Sequence, residues 1–124
     1  MSWNLKSDRP IYTQLVEEIE LKICSGIYAL GSKLPSVRDL AQEAAVNPNT
    51  MQRALAKLEE DGLLRTNRTS GRFITEDAKM VNQLRNKIAK DEIDEFFEKM
   101  KTLGFEKNEI LSVITSMLKE SENK

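Results

Sequence analysis

Between Gly31 and Ile74 the chain reads GSKLPSVRDLAQEAAVNPNTMQRALAKLEEDGLLRTNRTSGRFI, and this stretch restricts the fold more than any other. Ser36 heads a short helix, with Asp39 three residues on standing where a capping box has Glu. Val37, Leu40, Ala41 and Ala44 form its inner face, and Ala45 and Val46 make a turn. Asn47 then caps a second short helix with Pro48 in its first turn, where the missing N–H is no loss. Met51, Ala54, Leu55 and Leu58 are its apolar side, and Gly62 closes it. Leu63–Thr66 and Arg72–Thr75 are expected to pair as strands around the turn residues Asn67 to Gly71.

Two short helices separated by about four residues have helix-turn-helix spacing, and the hairpin after them is a wing. Such a unit presents the N-terminal residues of its second helix to base edges in the major groove. Here these are Asn47, Asn49, Thr50, Gln52 and Arg53. Asn and Gln match adenine, Arg matches guanine, and Thr suits a phosphate or a thymine methyl. Asn47 is first of all a helix cap, so its neighbours carry the reading. Ser36 and Arg38 stand at a helix N-terminus, where an anion is favoured. Arg38 has two readings, a phosphate contact or a surface ion pair with Asp39 or Glu43. Arg68 at the wing tip, followed by Gly71, suits the minor groove. Arg65 and Arg72 either touch phosphates or pair with acids in the span Glu59 to Asp61.

On the N-terminal side, Pro10 is expected to open a helix with Ser7 or Asp8 before it as cap. Ile11, Leu15, Ile19 and Ile23 recur every four residues, with Glu17, Glu18, Glu20 and Lys22 on the other face and Gly26 as its end. Ile27 to Pro35 reads as a turn or loop. On the C-terminal side, helix resumes from Glu76 with Thr75 as cap. The irregular step between Ile88 and Ile93 suggests a bend, Leu103 to Phe105 a turn, and Glu120 to Lys124 a frayed tail. Leu84, Ile88, Phe96, Phe97, Met100, Ile110, Ile114 and Met117 line apolar stripes that two helices alone leave half wet. A second copy is the simplest cover, and the two-fold arrangement is the commonest; the contrasting reading folds both helices back on the winged part. The expected fold is therefore mainly α with a small β-hairpin: residues 1–75 a DNA-binding winged helix-turn-helix, residues 76–124 a helical region for dimerisation or effector response.

Composition removes other classes. With no histidine and one cysteine, Cys24, the usual transition-metal ligands and Ser/His or Cys/His nucleophile systems are missing. No cofactor is implied, an enzyme is disfavoured, and Cys24 reads as inert packing. The net charge of −1 decides nothing about DNA, because Arg65, Arg68 and Arg72 crowd one hairpin with no acid between Gly62 and Ile74. The absence of any long apolar run argues against a membrane and for the cytoplasm. Phe73, Phe96, Phe97 and Phe105 form no stacking platform for single strands.

PIYTQ, the Gly26 to Gly31 pair, LPSVRDLA, VNPNT and LEEDGLL occur in an order that closely resembles the DNA-binding domain of the GntR family of bacterial regulators. The two-helix remainder looks like the appendage of its YtrA subfamily. The resemblance implies a homodimeric transcription regulator, chiefly a repressor, on a palindromic double-stranded operator. It implies Arg38 at the phosphate backbone, Asn49, Thr50 and Arg53 on the recognition helix, and Arg68 with Gly71 in the wing. One position departs: Thr69 stands where the family has Gly after the basic wing residue. A small effector at the dimer interface stays open, with no residue marking it. The contrasting function is a winged module for protein–protein assembly without DNA.

Overall fold

In the computed structural model, which describes residues 3–122, the first helix, α1, runs Ile11–Cys24. It is followed by α2 (Val37–Ala44), α3 (Pro48–Glu60), β1 (Leu64–Asn67), β2 (Gly71–Ile74), α4 (Ala78–Thr102) and α5 (Lys107–Glu122). The chain divides into two compact units, one up to Arg85 and one from Asn86 onward.

The first unit is organised by α1, α2 and α3. Leu15, Ile19 and Ile23 pack with Leu40, Ala41 and Ala44 and with Met51, Ala54, Leu55 and Leu58, under Leu63, Leu64 and Ile74. Each fully buried Leu or Ile in that set contributes about 1.5–3 kcal/mol. Helix ends follow the expected side-chain chemistry in α2 and α3. Ser36 Oγ accepts from the Asp39 N–H at 3.1 Å, and Asn47 Oδ1 accepts from the Asn49 N–H at 2.8 Å. Ala45 ends α2 in the left-handed region at φ 58, and that residue turns the chain from α2 toward α3.

Several local expectations give way. Pro10 is the cap position rather than the first helical residue, and neither Ser7 nor Asp8 caps α1: Pro10 has no side-chain cap bond. Instead Gln14, buried on α1, ties down the segment before it. Its Oε1 accepts from the Lys6 N–H at 2.6 Å, while Nε2 donates to the carbonyls of Lys6 and Arg9 at 2.7 and 2.9 Å. Lys22 is buried, not on a wet face, because Trp3 of that segment lies over it. The strands sit one residue from the expected bounds, with Arg65 opposite Phe73 and Thr66 opposite Arg72. The presumed loop also contains a strand-like piece: Lys33 bridges Phe73, the Leu34 N–H donates to Arg72 O at 2.9 Å, and the Ile74 N–H donates to Ser32 O at 2.8 Å.

Asp77, not Thr75, heads α4, its Oδ1 accepting from the Met80 N–H at 3.1 Å. The helix continues as one element through Ile88 and Ile93. In the second unit Gly104 takes φ 93 in the turn, and Glu109 Oε1 accepts from the Glu106 N–H at 3.1 Å to start α5. The expected frayed tail is helical as far as Glu122, and residues 123–124 lie outside the described residues. Ile110 is buried within this single chain, so its place on a face for a second copy is withdrawn. Phe96, Phe97, Leu103, Leu111, Met117 and Leu118 are exposed, whereas Leu84, Ile88, Met100 and Ile114 are half-buried.

Candidate nucleic-acid interface

One side of α3 is spent on the core and the other is open. Met51, Ala54, Leu55 and Leu58 are buried, while Asn49, Gln52 and Arg53 are exposed and Thr50 is half-buried. This division follows from helical spacing: the buried residues fall three and four apart. Asn47 uses its side-chain oxygen as a cap, as expected, which leaves its amide nitrogen and one lone pair of that oxygen for another partner. The Arg53 guanidinium lies over the Tyr12 ring, with Cζ 4.9 Å from the centroid.

Arg38 is exposed on the first turn of α2, and among the described residues neither Asp39 nor Glu43 pairs with it. The surface-pair reading of Arg38 is therefore not realised. Ser36 is exposed beside it with its hydroxyl already accepting from the Asp39 N–H.

The wing closes on Asn67, whose Oδ1 accepts from both the N–H and the hydroxyl of Thr69 at 3.0 Å. Thr69 is thus used in the turn, in place of the expected glycine. Arg68 is exposed at the tip. Gly71 has φ 104, a conformation that favours glycine, while a Cβ there would stand 3.3 Å from Lys33 Cε, the end of a flexible side chain that can yield. The two remaining wing arginines are engaged within the protein. Arg72 Nε donates to Glu59 Oε1 at 3.3 Å, and Thr66 donates its hydroxyl to the same oxygen. Arg65 pairs with Glu76 at 3.0 Å rather than with an acid of the Glu59 to Asp61 span, and both partners are well exposed.

Between the wing and the start of α2 lies a groove of about 690 Å³ lined by Lys33, Ser36, Asp39, Arg68, Gly71 and Arg72 among others. It brings together residues from two separate stretches of the chain, 33–39 and 66–72. Lys33 was not anticipated: it reaches the wing because its backbone bridges Phe73. Ser32, Lys33 and Leu34 before Pro35 show no alternation and are too few to read as a strand. The Arg53 contact of Tyr12 was likewise not anticipated, whereas the Arg72–Glu59 pair is one of the two alternatives the sequence offered for that arginine. Cys24 is packed, with Sγ 3.9 Å from Val81 O. Burial and then Glu20 raise its thiol pKa against the pull of Arg85, which leaves it a poor nucleophile.

A three-helix core that exposes the head of its third helix beside a basic two-stranded hairpin defines a winged helix-turn-helix protein. Residues 11–74 match the family described as "Bacterial regulatory proteins, gntR family". The chain belongs to that family and is a transcription regulator, not an enzyme. It is 38% identical to the transcriptional regulator YhcF of Bacillus subtilis, over 92% of this chain and 94% of that one. It is 42% identical to the transcriptional repressor YtrA of the same organism, over 60% of this chain and 57% of YtrA. Among solved structures, a GntR family regulator from Listeria monocytogenes superimposes with TM-score 0.84 at 41% identity, covering 90% of this chain and 98% of the other. The DNA-binding domain of AraR in complex with its operator ORE1 aligns with TM-score 0.52 at 30% identity, over 60% of this chain and 94% of AraR's domain.

Proposed function

We infer that the chain is a sequence-specific reader of double-stranded DNA that represses transcription as a homodimer on a palindromic operator in the cytoplasm. The observation that carries this reading is the open face of α3: Asn49, Gln52 and Arg53 are exposed over a helix whose opposite side is buried. In the proposed complex Asn47, Asn49, Thr50, Gln52 and Arg53 meet base edges or the adjoining phosphates. Ser36 and Arg38 hold the backbone, and Arg68 with Gly71 follows the minor groove. Lys33, beside Gly71, adds positive charge to that path. Residues 1–75 carry the DNA contacts and residues 76–124 the pairing of two copies. The exposed apolar side chains of α4 and α5 support that pairing, and the likeness to the repressor YtrA supports repression. Two recognition helices would then meet half-sites about one helical turn, ~34 Å, apart.

The test is an anisotropy titration of the full chain against a labelled duplex from the region upstream of its own gene, at about 50 and 200 mM salt. Neutralising several phosphates should weaken binding at least about tenfold between those conditions. The double variant R38A/R53A should bind weakly at both. Salt-insensitive capture, or a double variant that binds like the parent, would favour the protein-assembly reading.

A further inference from the structure

Tyr12 lies in the first turn of α1, outside the helix-turn-helix, yet its ring faces Arg53 on α3 with Cζ 4.9 Å from the centroid. The ring is anchored by its helix. Leu15 and Ile19 of α1 are fully buried with Ala54 and Leu55 of α3, so the two backbones are held in register by the core. Arg53 itself is exposed, and among the described residues no carboxylate pairs with it. Lys57, one turn along, is held by Asp61 at 3.1 Å instead.

What restrains a guanidinium determines what it can still do. A carboxylate would fix Arg53 but would occupy its N–H donors and cancel its charge. An aromatic face attracts the cation through the ring quadrupole while leaving the in-plane donors unoccupied and the charge intact. A long side chain is thereby partly ordered before it meets DNA, which lowers the cost of ordering it on binding.

We propose that Tyr12 is a positioning residue for DNA recognition, its ring holding Arg53 ready for the duplex. The proposal rests on the DNA reading above and extends it to a residue that contacts DNA only through Arg53.

A double-mutant cycle decides it. The parent, Y12L, R53A and Y12L/R53A are titrated with the same upstream duplex at fixed salt, together with Y12F. Y12M serves as a second variant without a ring, and thermal melts report on the fold. A cation–ring contact at an exposed site corresponds to roughly a two- to fivefold change in affinity. Y12L and Y12M should lose that factor, Y12F should bind like the parent, and Y12L should add nothing in the R53A background. An equal loss from Y12L in both backgrounds overturns the proposal, as does a Y12F protein as weak as Y12L. A parent chain that binds no duplex overturns the DNA reading and this proposal together. A parent that binds, with no coupling between the two positions, overturns this proposal alone.

Discussion

Lys22 shows what a single buried cation does to a small core. It is 4% exposed, its Nζ lies 3.5 Å from the Trp3 ring centroid, and among the described residues the ammonium has no hydrogen-bond acceptor. Burial lowers its pKa from the ordinary 10.5, while Glu18 and Glu43 pull it partly back. Because the folded pKa is the lower one, the unfolded chain binds more protons between the two values, and stability rises with pH through that window. The expected outcome for K22M is no loss of stability and a gain of up to about 1 kcal/mol near neutral pH, measured by urea unfolding. The alkaline rise in stability should flatten in the same variant. A loss above ~1 kcal/mol would mean that the contact with the ring outweighs the desolvation. Lys22 was misplaced in the sequence reading for a definite reason. Helical periodicity identifies which residues share a face, but not that Gln14 would draw the chain before α1 across that face. Asn47 and Ser36 were legible because a cap is settled within three residues.

At the scale of elements, the wing is fastened to α3 through one carboxylate. Glu59 accepts from both Thr66 and Arg72, residues opposite one another on β1 and β2. Removing a negative charge close to DNA should by itself tighten binding. The fastening argues the other way: E59A should bind the upstream duplex about two- to threefold more weakly, since the released Thr66 and Arg72 side chains must be ordered again on binding. Titration of E59A beside the parent at one salt concentration checks the sign, and tighter binding would show that Glu59 acts only as a charge. Helices were easier to read than their junctions. The irregular step from Ile88 to Ile93 falls inside one unbroken helix, α4. The strand-like piece at Lys33 escaped because it exists only through pairing with Phe73, far along the chain. The exposed head of α3 was fully legible, since the same spacing that buries Leu55 and Leu58 exposes Gln52 and Arg53.

For the molecule as a whole, the second unit leaves more apolar surface open than one copy needs. Phe96 is 41% and Met117 64% exposed, so polar replacements there cost a single chain little. A stable two-fold interface buries about 1,200–2,000 Å². The variant F96S/M117S should therefore keep its helical spectrum, yet run as a monomer by light scattering at micromolar concentration where the parent runs as a dimer. A parent that is itself monomeric would remove this account of α4 and α5. Inside the first unit, the pairing of Ser32 to Leu34 with β2 has a wider effect. A two-stranded hairpin of this size does not persist alone in water, and here it is sewn to the chain that leads into α2. The distance from wing tip to recognition helix is then a constant of the fold, like the gap of a fixed caliper. Any mismatch between that gap and an operator has to be taken up by the duplex, through groove width or bending. A protein built this way should select among DNA sites by their stiffness as well as by their bases.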